Sequence, residues 1–70
     1  MSELPLASVD RLIRKGGAER VSEGAAKLLG EHLEEVATEV AREAILFAEH
    51  AKRKTIKSGD ITLAWNAIKE

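Results

Sequence analysis

Cysteine is absent from this 70-residue chain, and proline, tryptophan and phenylalanine occur once each. Without cysteine there is no disulfide to staple a small domain, and the composition suits a reducing compartment. Past Pro5 nothing forbids a long helix. An aromatic content of 3% argues against a β-sandwich, whose strands draw on aromatic and β-branched runs. No apolar run approaches the roughly 20 residues of a membrane span. The N-terminus carries no signal-peptide pattern either, so a cytoplasmic protein without a membrane partner is expected.

Chemical machinery is missing as well. No serine, histidine and acid constellation, nucleotide-binding loop or paired-acid site stands out. His32 and His50 are separated by far more than the about four residues of a helical ligand pair. A structural metal site needs four converging ligands, and none converge here. Neither an enzyme, a small-molecule substrate, a metal nor a cofactor is expected.

What the chain does have is one long amphipathic stretch, from Ser22 to Ala51. Ala25, Leu29, Leu33, Val36, Val40, Ala44, Phe47 and Ala51 recur at steps of three or four, the period of one helix face. Such a helix runs roughly 45 Å at about 1.5 Å per residue. A globule of this size has a radius of gyration near about 11 Å. The short flanks cannot cover so long a stripe, and 70 residues lie near the lower limit for a self-sufficient core. Pairing with a second chain is the remaining way to complete one.

The flanks read as short helices. Leu6, Val9, Leu12 and Ile13 give the first an apolar side, with Arg11, Arg14 and Lys15 off it; Gly16 and Gly17 end it. Ser22 suits the cap of the long helix and Glu23 its positive end. The expected boundaries within a single domain, residues 1–70, are about 6–15, 22–51 and 58–69. Ser58 reads as the cap of the last helix and Asp60 as an acid in its first turn. Ile61, Leu63, Ala64, Trp65 and Ile68 are its apolar residues. Thr55 and Ile56 suggest a brief extended piece in the second linker, able to pair with the first linker of another chain.

Net charge is -1, but its distribution says more than its sum. Residues 1–21 balance at +1, the long stretch at -5, and residues 52–70 at +3. If two long helices cross antiparallel, the first linker of one chain neighbours the second linker of the other. Each end of the pair then carries a composite basic patch, and the two first helices supply a third. Three basic zones on one face match a phosphate backbone curving past a dimer.

At this point the chain resembles the histone fold, and within it the archaeal histones. The resemblance is carried by Glu3-Leu4-Pro5-Leu6-Ala7, by the run from Val9 to Lys15, by Gly17-Ala18-Glu19-Arg20-Val21-Ser22, and by His50-Ala51-Lys52-Arg53-Lys54-Thr55-Ile56-Lys57, with Asp60-Ile61 and Leu63-Ala64 completing it. It implies an all-α histone fold forming an antiparallel handshake dimer. It implies a chromatin protein that binds, wraps and compacts double-stranded DNA with little sequence preference, associated with the chromosome.

The resemblance also implies residue roles. Arg20 matches an arginine that enters the minor groove and Thr55, from the partner chain, the residue that positions it; Arg11, Arg14, Lys54 and Lys57 match bases that contact the backbone. Leu29, Leu33, Val36 and Val40 are the expected dimer core. Arg53 and Asp60 match a buried ion pair that shapes the second linker. Phe47, His50, Asp60 and Leu63 fall where dimers join, and Gly17 where turns of a wrapped superhelix approach closely. An inserted arginine reads groove width and potential rather than bases, as in the histone octamer, the standard example of this mode.

Some residues depart from that pattern. Lys52 stands where the family often has glycine, Glu31 and Glu49 where it is often basic, and Ser8 where it often has proline. Asn66 and Ala67 lack the basic end seen in some relatives. These changes predict weaker, more salt-sensitive DNA binding than in basic relatives. They sustain an alternative, a histone-fold protein that serves mainly as a heterodimer mate of histone paralogues or as a cap that ends their assembly. A member of a sequence-specific transcription complex would need further segments.

Overall fold

The computed structural model describes residues 4–69, which form three helices: α1 (Leu6–Lys15), α2 (Glu23–His50) and α3 (Ser58–Lys69). Glu3, the first residue of one of the runs above, lies outside the described residues. The chain divides into two compact units, Met1–Glu35 and Val36–Glu70, and α2 contributes to both.

Each helix starts and stops for an identifiable reason. Pro5 is the N-cap of α1, its carbonyl accepting from the Val9 amide at 3.2 Å. Ser22 caps α2 from outside: its hydroxyl accepts the Ala25 amide at 3.0 Å, and its carbonyl accepts the Ala26 amide at 3.1 Å. In α3 the capping differs from the sequence expectation. Ser58 is the first helical residue, and Lys57 occupies the cap, its carbonyl accepting the Ile61 amide at 3.3 Å. Asp60 reaches back to accept the Lys57 amide at 2.8 Å, the return half of a capping box, in which a first-turn carboxylate satisfies the cap residue's own amide.

Helices α1 and α2 end in the same motif. In α1 the Ala18 amide donates to the Ile13 carbonyl at 3.5 Å and the Gly17 amide to the Arg14 carbonyl at 2.9 Å. In α2 the Arg53 amide donates to the Ala48 carbonyl and the Lys52 amide to the Glu49 carbonyl, both at 2.9 Å. These crossed bonds satisfy carbonyls left over by the last turn, and they require a left-handed residue between them. Gly17 fills that place at φ 115°, which suits glycine. Lys52 fills it at φ 61°, the one non-glycine residue with positive φ among those described.

The units bury little. Val9, Ala26 and Gly30 are buried in the first, and Ala44, Ala48, Asp60 and Ala64 in the second. The four alanines permit close backbone approach but supply little apolar area. Among the described residues Val9 is the only large side chain that is fully enclosed. Leu12, Leu28, Val36, Ile45, Leu46, Ile61, Leu63 and Trp65 are between 42% and 58% exposed. Burying one such side chain is worth about 1.5–3 kcal/mol, while ordering each residue's backbone costs about 1–2 kcal/mol. Units with this little enclosed area do not stand on their own.

No strand forms among the described residues. Lys54 and Thr55 lie in a bend, so the extended piece expected at Thr55–Ile56 does not form within one chain. An extended backbone there would need a second strand to take up its amides.

Candidate nucleic-acid interface

The first loop joins α1 to α2 within the first unit. Arg14, in the last turn of α1, is its organiser. Its Nε donates to Asp10 Oδ2 at 2.7 Å, one helical turn back, and its Nη1 donates to the Glu19 carbonyl at 2.9 Å. The next residue is Arg20, exposed and without an ion pair among the described residues. Arg11 on α1 is also exposed and unpaired among them.

The second loop joins α2 to α3 within the second unit and is built the same way. Arg53 Nη1 donates to Asp60 Oδ2 at 2.8 Å and Nη2 to Oδ1 at 2.9 Å, a bidentate pair. The same Nη1 donates to the Thr55 carbonyl at 3.0 Å. Asp60 is only 3% exposed, yet neither oxygen lacks a donor. The guanidinium hydrogen bond, then the Lys57 amide, holds its carboxyl down at about 2, and the same pairing raises Arg53. With Arg53 engaged, Lys54 and Lys57 remain as exposed cations without ion pairs among the described residues. Thr55 is exposed beside them.

Both loops thus follow one plan. A helix ends in a left-handed residue, and an arginine neutralised by an aspartate grips a loop carbonyl. Other cations are left facing outward. An open groove beside the second loop is lined by Ile45, Ala48, Glu49, Arg53, Lys54 and Ile56.

The other expected site residues fall as follows. Leu29, Leu33 and Val40 are half-buried and Val36 is 42% exposed. Phe47 is half-buried, while His50 and Leu63 are exposed. Asp60 is enclosed and fully used by Arg53 and Lys57. Gly17 is exposed, and a Cβ built there would meet nothing within 4 Å. The sequence reading missed the Asp10–Arg14 grip and the left-handed Lys52. The four-residue spacing of Asp10 and Arg14 was the available signal for the first; a lysine carries none for the second. The glutamates of α2 remain its polar face, and no metal-holding group of histidines and acids occurs among the described residues.

A short helix, a loop presenting Arg20, a long helix, a loop presenting Lys54 and Lys57, and a short helix make up the chain that the family comparison then matches. The family model for histone-like transcription factors (CBF/NF-Y) and archaeal histones covers residues 2–65. The chain belongs to the archaeal histone family. It is 63% identical over 67 residues to a subunit of the archaeal histone HAN1 of Thermococcus zilligii, covering 96% of this chain and 100% of that one. It is 52% identical over 64 residues to probable archaeal histone 3 of Methanocaldococcus jannaschii, covering 91% and 96% respectively. The fold is the all-α histone fold, for which a handshake dimer is typical. Archaeal histones are architectural DNA-binding proteins of chromatin and not enzymes. Among the described residues no helix is long and apolar enough to cross a membrane.

Proposed function

We propose that this archaeal histone acts as a homodimer that binds double-stranded DNA with little sequence preference, wraps it and compacts it, within the nucleoid of the cytoplasm. The observation that carries the reading is the design of the two loops. In each, one arginine is spent on an aspartate and a carbonyl, and the remaining cations, Arg20 in one and Lys54 and Lys57 in the other, stay unpaired and exposed. Rigid loops presenting unpaired cations suit phosphates at fixed spacing. Arg20 enters the minor groove, with the partner's Thr55 beside it, and Arg11, Lys54 and Lys57 neutralise phosphates. Binding is salt-dependent because these cations displace counterions from the duplex, and the acidic face of α2 weakens it by keeping the background field low.

A partner chain covers the apolar residues that one chain leaves exposed or half-buried, and in this reading the partner is a second copy. Leu29, Leu33, Val36 and Val40 form the dimer core, and the groove beside Ile45 and Ile56 receives the first loop of the second copy. Phe47, His50 and Leu63 join dimers along DNA. Asp60 serves that contact by shaping the loop, since its carboxylate is almost wholly enclosed and both oxygens already accept from Arg53. Gly17 lies where successive turns of the wrapped assembly pass.

Relaxation of a closed circular plasmid by a topoisomerase in the presence of the protein tests wrapping. A change in linking number that scales with bound protein is the expected result. Binding without any change in linking number refutes wrapping. A second reading is supported by two observations, the acidic α2 and the name of one relative, which calls it a subunit. In it the chain pairs chiefly with another histone and caps assemblies. Under that reading the purified chain alone leaves the plasmid unchanged, and added archaeal histone of another sequence forms a mixed dimer with it.

A further inference from the structure

We propose that Asp10 and Arg14 form a clamp whose task is to position Arg20 against the duplex. This rests on the reading that Arg20 contacts DNA. The carbonyl that Arg14 grips at 2.9 Å belongs to Glu19, and that carbonyl shares a rigid peptide plane with the amide of Arg20. Holding the oxygen restrains the plane, and the plane carries the Arg20 Cα from which its side chain departs. The guanidinium is itself held from behind by Asp10 at 2.7 Å. A planar fork bonded at two nitrogens transmits orientation in a way a lysine ammonium does not. The crossed bonds at Gly17 and Ala18 supply the second anchor of the same loop.

The pair adds little to stability. Its side chains are 51% and 34% exposed, and exposed pairs of this spacing add little to folding. The second loop has the same construction, with Arg53 gripping the Thr55 carbonyl, but there the aspartate is enclosed. Arg14 was expected from the family resemblance to touch the DNA backbone. Its Nε and Nη1, engaged with Asp10 and the Glu19 carbonyl, give it a positioning role as well.

The clamp makes a prediction opposite in sign to simple electrostatics. Removing an acid beside a DNA-binding loop should raise affinity for phosphates. If Asp10 holds Arg14, and Arg14 holds the Arg20 peptide, then Asp10→Ala lowers it. Affinity for a random-sequence duplex is measured at one salt concentration for the wild-type protein, Asp10→Ala, Asp10→Asn, Arg14→Lys, Arg20→Ala and the Asp10→Ala/Arg20→Ala double variant. Circular dichroism of each confirms helix content. The expected result is a loss of about two- to fivefold for the Asp10 variants and Arg14→Lys. In the Arg20→Ala background, Asp10→Ala then brings no loss and shows the electrostatic gain. Equal or tighter binding by Asp10→Ala in the wild-type background overturns the clamp, as does the same loss in both backgrounds. Should Arg20→Ala bind like the wild type, the DNA role of Arg20 falls, and the clamp with it.

Discussion

Lys52 offers a test of the backbone argument that is independent of DNA. It holds the left-handed place at the end of α2 at φ 61°, where Gly17 holds the matching place at the end of α1. A left-handed backbone costs a residue with a Cβ about 1–2 kcal/mol. Glycine removes that penalty but makes the unfolded chain freer, returning about 0.4–1 kcal/mol. Lys52→Gly is therefore expected to stabilise each chain by about 0.5–1 kcal/mol, a rise in Tm of about 3–6 °C for a domain of this size. The assay is thermal unfolding followed by circular dichroism at a fixed protein concentration, because the melting of a dimer depends on concentration. Lys52→Ala is the control: it removes the ammonium beside Arg53 and Lys54 and keeps the Cβ. If the alanine variant gains as much as the glycine variant, relief of charge repulsion explains the gain and the strain argument is refuted.

Other perturbations probe the remaining parts. The carboxyl of Asp60 is held at about 2, below its ordinary 3.8, so its contribution is complete above about pH 4 and is lost as the pH falls toward 2. The Tm difference between wild type and Asp60→Asn should narrow across that window, and a constant difference would contradict the pairing with Arg53. Leu33 is half-buried in one chain and belongs to the proposed dimer core; Leu33→Ala should weaken the dimer by about 2–5 kcal/mol, seen in concentration-dependent melting. Unchanged melting would remove Leu33 from that core. Glu31→Lys with Glu49→Lys should tighten duplex binding by reversing the acidic field of α2, and no gain in affinity would show that this field does not limit binding.

Much of the fold could be read from the residues because each helix is marked by period and punctuation. The three- and four-residue recurrence from Ala25 to Phe47 marks α2, and Ser22 and the residues around Lys52 bound it at Glu23 and His50. The need for a partner was visible in the same stripe, and it reappears as leucines and isoleucines that one chain leaves exposed. What escaped the sequence reading was local satisfaction of polar groups. Ser58 looked like the cap because serine hydroxyls usually serve there, but the helix begins at Ser58 and its cap is Lys57, whose amide Asp60 takes. Gly17 announces a left-handed turn and Lys52 does not, since only hydrogen bonds to Glu49 and Ala48 reveal the shared motif. Arg14 reads as one more base near a phosphate until the Glu19 carbonyl is found against it.

In the proposed complex the two loops present cations to a DNA backbone, with Arg20 foremost. Binding of a random-sequence duplex across salt concentrations, for wild type and Arg20→Ala side by side, tests it most directly. The expected result is steep salt dependence, little preference between sequences, and weaker binding with a shallower salt slope in the variant while its melting stays unchanged. A well-folded dimer that fails to bind even at low salt, or an Arg20→Ala variant that binds like the wild type, would contradict it.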